Sequence, residues 1–288
     1  MSIYTYMSHT NIILVCIGNF QEYILHNIHQ LIRLGHDNIY VLTNLEFFER
    51  FRLYKEYIRL VNIDDLSESY QFYQKTSLNK EFRGGFWSLT SLRFFYIYEF
   101  MRLYNIVNAI HLENDVLIYY NCDYILNCFD SEYMYLPFDT FSRNIASICY
   151  IPSAQVFKRI LDQYNFDKDD MTNFSVIQRE TGLIRNLPIF PTCNINPEYE
   201  FITSNFIDFN GFIFDAAAIG QMLGGVDPRN IAGDTTGFIN ETCIIKYNTY
   251  SVFWEITDNI RRPYIRIDDV QVPIFNLHIH SKSLLRFM

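Results

Sequence analysis

The stretch Ala109–Tyr120, A-I-H-L-E-N-D-V-L-I-Y-Y, constrains the fold more than any other part of the chain. Apolar residues flank a small acidic island, and an apolar run of this length reads as a strand covered on both faces. Such a strand is the deepest of its sheet. Glu113 and Asp115 stand two apart, so in extended backbone their side chains point to the same side. Two carboxylates on one side repel each other unless something positive lies between them. A divalent cation with hard oxygen ligands is the usual solution. An isolated E-x-D is often only a solvated turn, but the apolar run resumes at Val116. The chain is therefore expected to pass Asp115 without turning.

The residues before this strand read as a β-α-β series. Residues 1–10 look like a loose leader. Asn11–Gly18 (N-I-I-L-V-C-I-G) is a first buried strand ending in the tight turn Gly18-Asn19. Gln21–Leu34 carries apolar residues at helical spacing (Ile24, Leu25, Ile28, Leu31, Ile32), with Gly35 as its C-cap. Asn38–Thr43 is a second strand followed by Asn44, and Tyr57–Ile63 a third ending in Asp64-Asp65. This order predicts a right-handed, mostly parallel sheet flanked by helices. Ligands of such sheets bind at the carboxyl ends of the strands, where Gly18, Asn19, Thr43, Asn44 and Asp64 all fall. That edge suits a nucleotide. No G-x-G-x-x-G follows the first strand and no G-x-x-x-x-G-K-[ST] occurs anywhere, which disfavours a dinucleotide fold and a P-loop NTPase.

Arg83-Gly84-Gly85 reads as a mobile loop, and Ser88–Tyr104 as the strongest helix, with Ser88 as N-cap. Thr90, Arg93, Ile97 and Met101 share a face by spacing. A crossover helix starts at the carboxyl edge of the sheet, and the next strand returns to it. Arg93 and the Glu113/Asp115 island should therefore meet. Arg93 is then a candidate to bind phosphate or brace the carboxylates, against the plainer reading of a snorkelling surface Arg.

Beyond the central strand, Tyr133–Phe138 and Ile145–Ile151 read as antiparallel additions to the sheet. Pro152–Tyr164 and Lys168–Thr181 read as helices, the second closed by Gly182. Leu183–Tyr199 holds three prolines and reads as a long loop. Phe209–Asn230 places Asp215 at the start of a small-residue helix (Ala216, Ala217, Ala218, Gly220) that another backbone or a ligand could approach closely. Asp215 suits an N-cap or a contact to a sugar hydroxyl, and Gln221 could face the same pocket. Gly224-Gly225 ends that helix and Asp227-Pro228 turns. Thr242–Tyr247 and Ser251–Ile256 read as a hairpin. Pro273–Leu277 is a last strand running into His278-Ile279-His280-Ser281-Lys282. Either His could complete a metal's coordination, and Lys282 could take a phosphate oxygen.

The chain has 288 residues and a net charge of −9, which argues against a general nucleic-acid binder. Its six cysteines, Cys16, Cys122, Cys128, Cys149, Cys193 and Cys243, form no C-x-x-C pair and read as buried free thiols of a reducing compartment. No signal peptide or membrane-length apolar run is evident, so the expectation is a soluble cytoplasmic protein. There is no internal repeat or linker, and one domain is the simplest account.

Four segments together, T-S-L-R-F-F (90–95), H-L-E-N-D-V-L (111–117), F-D-A-A-A-I-G-Q (214–221) and N-L-H-I-H-S-K (276–282), resemble nucleotide-sugar-dependent glycosyltransferases of the GT-A fold. The likeness is nearest to such proteins of giant DNA viruses, which would place the chain in host cytoplasm or virion, and to bacterial sugar-polymer enzymes. It implies an α/β, Rossmann-like domain over 1–288, with a nucleotide-binding half (11–120) and an acceptor half (121–288) ending in a metal- and diphosphate-binding tail. It implies that Glu113-Asn114-Asp115 stands at the family's D-x-D, with Asp115 on a manganese or magnesium ion and Glu113 on the metal or the ribose. Arg93 would reach the donor, Asp215 would lie near the donor sugar, and His278 or His280 with Lys282 would close over the diphosphate.

The reaction implied moves a sugar from a nucleoside diphosphate sugar, uridine by default, to a hydroxyl on a glycan or protein-linked acceptor. Inversion would need a general base, for which Asp215 and Asp234 are candidates. The alternatives are a sugar-phosphate nucleotidyltransferase, against which Gly18-Asn19-Phe20 counts, and a non-catalytic binding protein of the same fold. A homodimer is compatible with the sequence.

Overall fold

The computed structural model describes residues 10–192 and 197–288, and the side chains of all but residues 197–199 within them. Residues 1–9 of the expected leader and Cys193 lie outside the described residues, while Thr10 is buried and its N–H and hydroxyl donate to Asp123 Oδ1 (3.1 and 2.7 Å), so it is no loose leader residue. The first half is β1 (Asn11–Cys16), α1 (Ile24–Arg33), β2 (Ile39–Thr43), a 3-10 segment (Leu45–Tyr54) and β3 (Ile58–Asn62). A short α2 (Phe72–Lys75), the long α3 (Phe86–Tyr104), β4 (Val107–Leu112), β5 (Val116–Ile118) and α4 (Asp123–Leu126) follow. Next come β6 (Met134–Thr140), β7 (Arg143–Asn144), β8 (Ile148–Ser153), α5 (Ala154–Leu161), α6 (Asp170–Thr181) and β9 (Ile184–Leu187). The chain closes with α7 (Pro197–Thr203), α8 (Ile219–Gly224), β10 (Ser251–Thr257), β11 (Ile260–Ile267), β12 (Val270–Pro273) and β13 (Asn276–His278).

The main sheet has eight strands in the order β3-β2-β1-β4-β8-β6-β7, with β9 also paired to β6. The strands β3, β2, β1 and β4 run parallel, so the ends of β1, β2 and β3 share one carboxyl edge with β4. Strand β8 runs against β4, and β6 against β8, so β6 has the direction of β4 again. This is the mixed α/β, Rossmann-like architecture expected from the sequence, with one of the two late strands antiparallel to the parallel set. The interior of the sheet is apolar, Ile12–Leu14 and Ala109–Leu112 being buried throughout, as a strand covered by helices requires.

Several elements depart from the sequence reading. The central apolar run is two strands, not one. The N–H of Val116 donates to the carbonyl of Glu113 (3.0 Å), so the chain turns at Asn114-Asp115, and β5 leaves the main sheet to pair antiparallel with β13. Two turns of apolar residues look the same in sequence whether or not the backbone reverses between them. Helix α3 begins at Phe86, behind a left-handed Gly85, and Ser88 lies inside it with its hydroxyl donating to the carbonyl of Gly85. Pro152 belongs to β8, and Ser153 caps α5.

The stretch 183–199 is not a plain loop. Ile184–Leu187 pairs parallel with β6, a strand too short, and too interrupted by Arg185 and Asn186, to show in the pattern. The expected hairpin of 242–256 is also displaced. Cys243, Ile245 and Tyr247 alternate inward as a strand would, but Ile244 finds only the carbonyl of Asp139. The hairpin is β10–β11 instead, closed by Asp258-Asn259, both in left-handed conformation, which a two-residue turn of this kind demands. Cys16, Cys122, Cys149 and Cys243 are buried and Cys128 half-buried, all as free thiols.

Helix α8 is the element that seats the C-terminal tail. A Cβ on Gly220 would lie 2.1 Å from the carbonyl oxygen of His278 and 2.9 Å from a carboxylate oxygen of Asp215. The small-residue stretch thus serves close approach of backbone, with His278 as the neighbour. Gly220→Ala should push the helix off the tail at a cost of about 1–3 kcal/mol, the usual scale of overpacking. Urea unfolding of the variant against the parent chain measures it, and equal midpoints would contradict the packing.

Candidate metal centre

The turn that breaks the central run is built by polar residues around it. The Nδ2 of Asn27, a fully buried residue on α1, donates to the carbonyls of Glu113 (3.2 Å) and Asn114 (3.3 Å). Asn114 Nδ2 donates to the carbonyl of Val15 (2.7 Å) and to Gln21 Oε1 (2.5 Å), tying the turn to the end of β1. Glu113 N–H donates to Ser147 (2.8 Å). With its backbone so fixed, the turn sends both acidic side chains to one place.

The tail meets them there. Strand β13 pairs His278 with Val116, and Ile279 N–H donates to the carbonyl of Asp115 (2.8 Å). His278 Nε2 lies 3.1 Å from Glu113 Oε2 and 3.3 Å from Asp115 Oδ2. One ligand atom from each of Glu113, Asp115 and His278 falls within 4.8 Å of the others. The Lys282 ammonium pairs with Asp115 Oδ2. Lys282 holds a left-handed backbone, φ +63°, a conformation that costs a non-glycine residue free energy and is concentrated at functional sites.

Behind the carboxylates stands Arg93. Its guanidinium is nearly buried and pairs with Glu113 Oε1 through Nη1. Its Nη2 donates to Asp170 Oδ2 (3.0 Å) and to the carbonyl of Ala146 (3.2 Å). Arg93 therefore meets the acidic island as the topology implied, is not a snorkelling surface residue, and braces Glu113 from inside.

Burial would raise the Asp115 carboxyl, but Lys282 and His278 outweigh it and hold the group well below the ordinary carboxylate range. Burial would lower the His278 imidazole, and Asp115 and then Glu113 outweigh it, so the ring sits above its ordinary value. His280 goes the other way: burial, then the charge of His278, hold it well below. Burial pushes Asp170 up to about 6, against the pull of Arg93.

The donor set suits a divalent cation. Two carboxylate oxygens and one imidazole nitrogen converge, and His278 Nδ1 is buried with no partner, so Nε2 is the nitrogen turned to the carboxylates. Oxygen and imidazole donors of this kind fit manganese or magnesium better than a thiolate-seeking ion. Glu113, Asp115 and His278 would hold it.

The other residues singled out in the sequence fall in four places. Gly18, Asn19, Thr43, Asn44 and Asp64 lie at the ends of β1, β2 and β3. There Gly18 N–H donates to Asn44 Oδ1 (3.0 Å), and the Thr43 hydroxyl donates to the carbonyl of Cys16 (2.6 Å). His280 lies against His278, ring centroids 4.2 Å apart, and Gln221 Nε2 is 3.2 Å from His280 Nδ1. Asp215 is fully buried. Its Oδ1 accepts from the N–H groups of Ala218 (2.8 Å) and Ile219 (2.9 Å), and its Oδ2 from Gly220 (2.8 Å) and His278 (2.9 Å). It caps α8 and clamps the tail to it, with both oxygens engaged by backbone. Asp234 is exposed and accepts from Thr236.

The sequence reading missed Asn27, Asp170 and Arg229. Asn27 was detectable as a polar residue on the apolar stripe of α1. Asp170 gave no sign, standing as one of several acids before a helix. Arg229 pairs with Asp227 and its field reaches Asp115.

No protein-family profile matches the chain, and no curated protein matches it. Solved structures do. The glycosyltransferase GlyE of Streptococcus pneumoniae TIGR4 is 13% identical at a TM-score of 0.40, over 62% of this chain and 45% of its own, so the chain spans less than half of that protein. Mouse xyloside xylosyltransferase 1 in its apo form is 10% identical at a TM-score of 0.44, over 70% of this chain and 93% of its own. A cytidylyltransferase of Leptospira borgpetersenii is 13% identical at a TM-score of 0.39, over 64% and 77%. Among the described residues, no helix is long and apolar enough to cross a membrane.

Because the His278 ring is raised above its ordinary value of 6.5, its charge stabilises the metal-free fold fully below that pH and loses this effect as pH rises through the raised value. The difference in unfolding free energy between the parent chain and His278→Asn, both metal-free, should be largest below pH 6.5 and shrink as pH rises through the raised value. A difference that is flat with pH would contradict the pairing of this ring with the carboxylates.

Proposed function

We propose that the protein is a metal-dependent glycosyltransferase. It moves a sugar from a nucleoside diphosphate sugar, a uridine diphosphate sugar by preference, to a hydroxyl on a glycan or protein-linked acceptor. The observation that supports this most is the convergence of Glu113, Asp115 and His278 within 4.8 Å at the carboxyl edge of the sheet, with Lys282 beside them. We take residues 1–288 as one transferase domain, with 11–120 receiving the nucleotide and 121–288 the acceptor.

In such a transfer the bond between the sugar and the diphosphate breaks, and negative charge builds on the departing oxygens. Bound at Glu113, Asp115 and His278, a manganese or magnesium ion would supply Lewis-acid stabilisation of that charge. The chain's own groups do the rest. Lys282, which pairs with Asp115, would turn its ammonium to a phosphate oxygen as the donor binds. Arg93 acts from behind, holding Glu113. Gly18, Asn19, Asn44 and Asp64 form the edge that receives the nucleoside. Asp215 has no free oxygen for the sugar and holds the tail in register, so that His278 faces the turn. Gln221 fixes the His280 ring against that of His278.

Thermal shift with manganese and a panel of nucleotides tests this. A nucleoside diphosphate should stabilise the protein only with the metal present, and Asp115→Ala should remove that stabilisation. Donor hydrolysis should fall at least about a hundredfold in the same variant, the scale of losing one preorganised charge-stabilising contact. A preference for triphosphates would instead favour nucleotidyl transfer, and no response to any nucleotide would leave a binding protein of this fold.

A further inference from the structure

We propose that Asp170 is a positioning residue for the cation site, acting through Arg93 to aim and charge Glu113. This rests on the reading of Glu113, Asp115 and His278 as metal ligands. Asp170 is the first residue of α6 and stands 77 positions from Arg93 in sequence, yet its Oδ2 lies 3.0 Å from Arg93 Nη2. Both side chains are nearly buried, at 7% and 10% exposure. Asp170 has no hydrogen bond or ion pair to Glu113, Asp115 or His278, whereas Arg93 pairs with Glu113.

The geometry gives Asp170 two effects. The first is orientation. Nη2 is held by Asp170 and by the carbonyl of Ala146, which fixes the guanidinium plane. Nη1 then takes Glu113 Oε1, and the other oxygen, Oε2, is left 3.1 Å from His278 Nε2. Without Asp170 the Nη2 end would keep only the carbonyl of Ala146, a weaker, uncharged hold on the guanidinium plane.

The second effect is electrostatic. A buried guanidinium facing only Glu113 would place its whole field on that carboxylate and weaken it as a ligand. Asp170 takes up part of that field, so Glu113 keeps more of its charge for a cation. Burying a second carboxylate beside Arg93 costs desolvation that a simple Arg93–Glu113 pair would avoid, and the raised Asp170 carboxyl reflects that cost. Asp170 takes an Nη2 donor that the Glu113 contact leaves unused, and its charge acts on Glu113 through the same guanidinium.

Manganese binding to the full-length protein, read as loss of the free-ion EPR signal, tests this with the metal-free Tm measured alongside. Asp170→Asn keeps the shape and removes the charge. It should weaken manganese about tenfold, the lower end of what outer partners of metal ligands contribute, while leaving the metal-free Tm unchanged or higher. Asp170→Glu should bind closer to the parent chain. If Asp170→Asn gives no folded protein, Arg93→Lys keeps the positive charge but cannot bridge both acids, and should show the same loss. Parental affinity in the folded neutral variant overturns the inference alone. Affinity that falls only together with the metal-free Tm also overturns it, since that is a structural role. A parent chain that binds no manganese overturns both the inference and the reading of the site.

Discussion

The structure depends on a reversal of the chain at the centre of its own sheet. Between β4 and β5 the backbone turns at Asn114-Asp115, and the turn survives because two buried amides hold it, one from α1 and one from the turn itself. Asn27 reaches it from α1, and Asn114 ties it back to Val15 on β1. A turn in so apolar a setting would otherwise leave carbonyls without partners, each costing about 1–3 kcal/mol. The same reversal carries β5 out of the main sheet, and that leaves β5 free to receive β13. Fold and site thus share one cause, because the tail could not reach the carboxylates if the central strand ran straight.

The tail in turn depends on Asp215 and Gly220. One carboxylate accepts the N–H groups of Ala218, Ile219 and Gly220 and that of His278, so the start of the helix and the end of β13 are joined through a single side chain. Gly220 lets the two backbones touch. These contacts lie one layer behind His278 and decide which way its ring faces. An acid that looks catalytic by its position can thus be fully engaged in holding another residue in place.

The parallel half of the fold was legible in the sequence because its signals are local. Buried strands, an amphipathic helix closed by Gly35 and polar strand ends recur within about sixty residues, and the periodicity is regular. The meeting of Arg93 with the acidic island followed from crossover geometry alone. What was not legible depends on distant pairing. Whether Val116–Ile118 continues β4 or leaves it is decided by β13, some 160 positions later in the chain. The burial of Asp170 against Arg93 is likewise a tertiary fact with no local pattern. The displaced hairpin had a local sign in Asp258-Asn259 and Asp268-Asp269, pairs of residues able to take the left-handed conformation, but the alternation of Cys243, Ile245 and Tyr247 competed with it.

The turn also explains why two carboxylates can act together here. Residues two apart in a strand are separated by roughly 6.5 Å along it, which spreads their charges. The turn instead brings their oxygens close enough to share one imidazole nitrogen. The connected charges are three acids, Glu113, Asp115 and Asp170, against two fixed cations, Arg93 and Lys282. With a neutral His278 the group is one positive charge short, and a proton on that ring closes the gap, as its raised titration reflects. A divalent ion at the same three ligands would satisfy the acids in the proton's place and would need the ring neutral. Proton and cation are therefore competitors for one deficit. The acids that make the site unstable when empty of positive charge are the ones that would give it affinity for a metal.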